Sequence, residues 1–247
     1  MGAAHDAGTL TACAVKARLR ALANPARAAG EASFFKTGPG QYGEGDQFLS
    51  LSVPEQRRVA KAFRSLSLSE VPVLLASPIH EDRFAALEIL VMQYEAGDAT
   101  VRTSVFRFYL QHTDRINNWD LVDTSARYIV GEHFRDRSRA RVYRLARSKS
   151  LWERRIAMVA THAWIASGDT ADAYAIADLL LDDPHDLIRK AVGWMLREAG
   201  VHDRAALLRF LRTRYARVVR TTLRYAIEHL PAAQRKRILA GDFAASR

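Results

Sequence analysis

Trp119 and Asp123 stand four residues apart in the stretch Asn117-Asn118-Trp119-Asp120-Leu121-Val122-Asp123. Either asparagine can cap a helix start, because its side-chain oxygen accepts one of the orphan backbone N–H groups there. Leu121, Val122, Ser125, Ala126 and Ile129 then recur at the spacing of a helix with one buried stripe. At about 100° per residue, Trp119 falls roughly 90° from the centre of that stripe and Asp123 further still. The largest apolar side chain of the segment is therefore off the core face. It shares a flank with a carboxylate, and Arg127 follows one turn on. An indole beside a carboxylate suits a cationic or electron-poor ligand, since ring quadrupole and anion both favour positive charge. The same spacing also fits a partly exposed tryptophan next to an Asp123–Arg127 ion pair.

Two later segments repeat this geometry. In Leu151-Trp152-Glu153-Arg154-Arg155-Ile156 the apolar stripe runs through Trp152, Ile156, Val159, Ala160 and Ala163. Arg154 points away from it, and Arg155 lies nearer its edge, roughly 80° off centre. In the segment that begins Asp183-Pro184, the aspartate reads as a cap with proline at the first helical position. Its stripe is Leu187, Ile188, Ala191, Val192 and Met195, which leaves Trp194 on a flank with Lys190 and Arg197. Trp194 reads equally well as a rim residue covered by the stems of those two cations.

The elements that must carry these residues are helices. Amphipathic periodicity starts at about Leu10 to Ala23, and a second short helix is expected ahead of Phe34-Phe35-Lys36. A loop with four glycines and a proline follows between Thr37 and Asp46. It lacks the G-x-x-x-x-G-K-[ST] pattern of a phosphate cradle, so it reads as a flexible or ligand-ordered loop. From Val53 onward helix follows helix, with short connections punctuated by Gly97, Gly168, Pro184, Gly200 and Pro231. No segment alternates with a period of two. The reading is an all-α fold in one domain, residues 1–247: an N-terminal helical region at about 8–36, a glycine-rich loop at 37–47 and helical pairs at about 53–240. Paired helices of similar length predict an α-solenoid, which binds along a concave surface.

Charge points to the partner. Thirty-seven Lys and Arg against 27 Asp and Glu leave a formal charge of +10, which favours a polyanion, nucleic acid first. Nine basic residues stand against two acidic ones between Arg135 and Arg155, and ten against one between Arg204 and Arg237. Six aspartates and no Lys or Arg lie between these clusters, from Asp169 to Asp186, as an acidic outer helix interrupting a basic surface would give. The single cysteine, Cys13, excludes an intrachain disulfide and cysteine-based clusters. The eight histidines show no metal-ligand spacing, no serine sits in G-x-S-x-G, and nothing calls for a cofactor or a metal. No apolar run reaches the ~20 residues of a membrane span and no signal-peptide pattern opens the chain, so a cytoplasmic location is expected; the protein is read as a monomer.

These segments resemble the bacterial DNA alkylation repair glycosylases built from HEAT-like helical repeats. The resemblance extends from about Asn24 to Pro231 and is most specific at 119–123, at 151–155 and at 190–198. It implies a curved solenoid of degenerate repeats with a basic concave face. It also implies that Trp119 and Asp123 act at the damaged nucleotide with Trp194 as second tryptophan, and that Arg155 lies near the DNA backbone. Lys190 and Arg197, beside Trp194, are expected to bind DNA. The implied reaction is hydrolysis of the N-glycosidic bond of cationic alkylpurines in duplex DNA. The bond is already weakened in 7-methylguanine or 3-methyladenine. The backbone is held and the cationic sugar contacted, without a tight base pocket. Two departures stand out: the glycine-rich insert, and Phe34-Phe35 where an aromatic residue with a polar tip would be expected. Two other readings fit the same charge: a non-catalytic relative that binds distorted or branched DNA, and a helical scaffold for an acidic protein.

Overall fold

The structure is a computed structural model and describes residues 10–24, 30 and 33–243. Most of the short helix expected ahead of Phe34 lies outside the described residues. Among the described residues every regular element is a helix, apart from a single bridge between Gln47 and Ile79. The chain divides into two compact units, one ending at Ser125 and one beginning at Ala126.

The first unit contains α1 (Ala12–Arg20), α2 (Val53–Ala62), α3 (Val71–Leu75), α4 (His80–Ala96), α5 (Ala99–Gln111) and α6 (Trp119–Ala126). Local chemistry sets the starts. Thr11 accepts from the Ala14 N–H at α1, and Asp98 accepts from Thr100 and Val101 at α5. At α2, Ser52 and Glu55 form a reciprocal capping box with Pro54 just inside the helix. α4 is the unit's axis: Phe84, Ala85, Ala86, Leu87, Ile89, Leu90 and Val91 are all buried. Its first turn is buried too, although it reads His80-Glu81-Asp82-Arg83.

The second unit opens with a π-helical turn (Arg127–Gly131). It continues with α7 (Ala140–Ala146), α8 (Leu151–Ala160), α9 (His162–Ile165), α10 (Ala171–Leu180), α11 (Asp186–His202), α12 (Arg204–Thr213), α13 (Arg220–Ala226) and α14 (Ala232–Leu239). The periodicity predicts one helix over 150–166, whereas the structure breaks it at Thr161, whose hydroxyl turns back to the Met158 carbonyl. α11 is the central element, packed on α8, α10, α12 and α13. It starts later than Asp183-Pro184 suggests. Asp183 accepts from the His185 N–H and from Arg154 Nε instead, and His185 caps the helix through Nδ1. Gly193 lets α11 meet α13 closely, because a Cβ there would lie 2.5 Å from the Tyr225 Cβ and 2.7 Å from the Thr222 carbonyl. Trp164 fills the interior, with its indole N–H on the Gly131 carbonyl at 2.8 Å and the Arg139 guanidinium 4.0 Å over its ring.

The six aspartates between 169 and 186 do not form an unpaired acidic surface. Asp169 and Asp172 bind Arg139, Asp178 binds Arg214 and Arg217, and Asp182 binds Arg217. Asp183 binds Arg154 and Asp186 binds Lys190. Each answers a cation from one of the flanking basic stretches or from its own helix.

Candidate functional site

In the first unit the site grows from the start of α6. Asn118 is the cap: its backbone carbonyl takes the first helical bond from Val122, and its side-chain oxygen accepts from the Trp119 N–H at 2.8 Å. The predicted stripe is the buried one, with Leu121, Val122, Ser125, Ala126 and Ile129 at 0% exposure. Trp119 and Asp123 are half-buried on the flank, as their angles from the stripe require. Beneath them, the Tyr109 hydroxyl bonds Ser125 Oγ at 2.9 Å. Burial pushes that hydroxyl's pKa up against its bond to Ser125, and the nearby Asp123 carboxylate adds to the rise.

Trp119 is backed by aromatic rings. Phe35 stacks on it with centroids 5.5 Å apart and planes 16° from parallel, and Phe34 meets it edge-on at 5.6 Å. Phe35 in turn lies against Phe48 and His80. Phe34 itself is 62% exposed, so the aromatic wall reaches solvent at its outer end.

The wall is held by a buried polar knot. His80 Nε2 lies 2.7 Å from Asp120 Oδ2, and Nδ1 lies 3.3 Å from Asp46 Oδ2. Arg83 reaches the same Asp46 oxygen at 2.6 Å, and Asn118 Nδ2 donates to it at 3.2 Å. Burial alone would drive the His80 pKa down. The charge and hydrogen bond of Asp120, with the bond to Asp46, outweigh it and push His80 up from 6.5 to about 9. For Asp46 burial acts upward, and the hydrogen bonds from His80 and Arg83 outweigh it and hold the carboxyl below its ordinary value. His80 is therefore an imidazolium at neutral pH, donating to two carboxylates. The next residue does related work: Glu81 accepts the Leu49 and Ser50 N–H groups at 3.0 and 2.7 Å.

Asp46 belongs to the glycine-rich loop, and this changes the reading of that loop. It is pinned to the protein by Asp46, and by the Gly43 N–H on the Lys36 carbonyl at 3.0 Å. A Cβ at Gly43 would come within 2.4 Å of the Phe35 carbonyl, so glycine there lets the loop press against the segment that carries the aromatic wall.

The second unit holds the other expected residues. Trp194 is half-buried on α11, its indole N–H donating to Glu198 Oε1 at 3.1 Å and its ring 5.8 Å from that of His162. Burial depresses the His162 pKa, and the nearby Arg127 adds to this, so a neutral imidazole lies beside the indole. Arg197 binds Glu198 at 2.9 Å and also Glu228, and Lys190 binds Asp186 at 2.8 Å. Arg155 is more enclosed than its position near the edge of the stripe suggests, at 5% exposure, and it donates to the Leu187 carbonyl at 2.5 Å. Its neighbour Arg154 is fixed by Asp183 and the Ser148 and Lys149 carbonyls.

Trp119 and Asp123 thus come together in the first unit, and Arg155, Lys190, Trp194 and Arg197 belong to the second. Sequence reasoning missed His80, Arg83, Asp46 and Asp120 as supports of Trp119. The signal available was four polar residues in a row at the head of an otherwise apolar helix.

The model of one family, described as DNA alkylation repair enzyme, matches residues 15–230. The chain belongs to that family. Among solved structures, a predicted DNA alkylation repair enzyme from Enterococcus faecalis is similar at 15% identity, with a TM-score of 0.65 over 85% of this chain and 97% of that one. At that identity the likeness speaks for the fold. No curated protein matches the chain. Membership links this all-helical protein to repair of alkylated DNA, in accord with its basic charge. No described helix is long and apolar enough to cross a membrane.

Proposed function

We propose that this family member is a monofunctional DNA glycosylase that excises positively charged alkylpurines, of the 7-methylguanine and 3-methyladenine class, from duplex DNA. The observation that carries the reading is the pair on α6: Trp119 and Asp123, one turn apart and both half-buried, with the indole braced from behind by Phe35. The lesion brings its own positive charge, so the leaving base needs no strong acid. What the protein must supply is stabilisation of the oxocarbenium-like sugar and a placed water. The Asp123 carboxylate can do both, by electrostatics that strengthen away from bulk water. Trp119 and Trp194 offer ring faces that favour the cationic nucleotide. Lys190 and Arg197 would hold the backbone, and the covered Arg155, bound to the Leu187 carbonyl, would fix the start of the helix that carries them. The repeats would form a HEAT-like solenoid in a single domain, with a basic concave face toward DNA.

Lesion choice on this reading follows the lability of the glycosidic bond. Neutral, stable lesions should be poor substrates. The test is release of free base from a duplex carrying 7-methylguanine under single-turnover conditions. Release by the wild-type protein supports the reading. Tight binding of the same duplex with no release would instead identify a DNA-binding relative without catalysis. Failure to bind duplex DNA at low salt would point to a scaffold.

A further inference from the structure

α13 and α14 border a cleft of about 750 Å³ in the second unit, lined by Arg197, Arg224, Tyr225, Glu228, Arg235 and Lys236 among others. We infer that this cleft is a phosphodiester subsite, holding the DNA backbone beside the nucleotide that Trp194 contacts; the inference rests on the reading of the protein as DNA-acting.

The charge within the cleft is unbalanced. Four cations face one carboxylate, Glu228, and Arg197 already binds it. Arg235 donates to the Glu228 backbone carbonyl, a neutral acceptor that leaves its charge uncompensated. Arg224 and Lys236 are exposed and have no carboxylate partner among the described residues. A second cleft, of about 640 Å³, shows that basic lining alone does not leave such a surplus. There Arg139 is bound by Asp169 and Asp172, and Arg135 by Glu132. The lining of the second cleft is balanced, three arginines against three aspartates, whereas the first carries a surplus of cations for an external anion.

Size and position select the anion. A space of this volume is within the range of small-ligand sites, larger than a single bound ion needs. Arginine forks match phosphate oxygens two at a time, and Lys236 adds a point charge. Tyr225, 37% exposed, offers a ring to a sugar or base beside the phosphate. Arg197 ties the cleft to the candidate site, because it bridges Glu228 in the cleft and Glu198, the acceptor for the Trp194 indole. It lies three residues past Trp194, about 4.5 Å along the helix axis. One nucleotide of duplex rises about 3.4 Å, so for a strand held at Trp194 a neighbouring phosphate is within reach of a long side chain such as Arg197.

The experiment is a salt titration of binding to undamaged duplex DNA by the 247-residue chain. Variants are R224A+K236A and, as a control of equal charge loss, R209A+R212A, two exposed arginines outside the cleft. Each lost phosphate contact lowers the slope of log K against log salt by about 0.9, so the cleft variant should lose about 1.8. Its affinity at 0.1 M salt should fall on the order of tenfold or more. The control should lose less than half of that slope. An unchanged slope for R224A+K236A, or an equal loss in the control, would overturn the subsite. A wild-type protein that excises nothing while the slope change persists would overturn the glycosylase reading and leave the subsite standing.

Discussion

The two units use charge in opposite ways. At the head of α4, His80, Glu81, Asp82 and Arg83 are 5% exposed or less; partners arrive from the glycine-rich loop, the segment 49–51 and the start of α6, and Asp82 is met by Ser77 and by Arg20 of α1. Around α10 and α11 most ion pairs are on the surface, as in Asp178 with Arg214 and Arg217, with Asp183 and Arg154 the enclosed exception. Buried charges that lose a partner are costly, because the survivor keeps its desolvation penalty. Surface pairs cost little to break, because water replaces the partner. The first arrangement therefore fixes geometry, and it does so directly behind Trp119. The second compensates an acidic stretch and leaves other cations for an anionic partner.

The sharpest way to break this contrast is to remove one member of the knot. Arg83→Ala leaves the Asp46 carboxylate, 4% exposed, with His80 and Asn118 as its side-chain partners among the described residues. It should destabilise the protein by about 3–5 kcal/mol in urea denaturation. A loss below 1 kcal/mol would place the knot in the same class as the surface pairs.

A related expectation concerns pH. The folded pKa of His80 lies above its ordinary value, so the imidazolium's contribution is fully present below pH 6.5 and is lost as pH rises through about 9. Stability should fall by roughly 3 kcal/mol across that window, and His80→Gln should flatten the profile there. A wild-type profile that is level from pH 6.5 to 9 would contradict the assigned hydrogen bonds.

Phe35 tests whether the knot matters to function rather than only to folding. Phe35→Ala removes the ring stacked on Trp119. Excision should slow by about tenfold, the scale of one aromatic pair, with undamaged-duplex affinity little changed. The smallest effect is expected from the other side of the comparison. Arg214→Ala breaks its pair with Asp178 and should cost under about 1 kcal/mol by thermal denaturation, with excision unaltered.

The same contrast explains what could be read before folding. Helix positions and buried faces are local properties, so Leu121, Val122 and Ile129, or Ile188, Val192 and Met195, announce their stripe through spacing alone. Trp119 and Asp123 were legible because they violate that stripe. The knot was not, since His-Glu-Asp-Arg at a helix start has the composition of a solvated first turn. Only partners 34 to 40 residues away, Asp46 and Asp120 about His80, make it a buried one. Likewise the run from Asp169 to Asp186 reads as acidic until the arginines at 139, 154, 214 and 217 are brought to it. Arg155 shows the limit of angular reasoning, because its place near the edge of the stripe does not reveal that the neighbouring helix start covers it.

The central claim is that Asp123 stabilises positive charge forming on the sugar. Asp123→Asn keeps the size and much of the hydrogen bonding of the side chain and removes its charge. Single-turnover excision of 7-methylguanine from duplex DNA, alongside binding to undamaged duplex, tests this most directly. The predicted result is a rate lower by a factor on the order of 10² or more, with affinity equal or higher because a negative charge has left a phosphate-facing surface. Undiminished excision by a folded Asp123→Asn protein would contradict it.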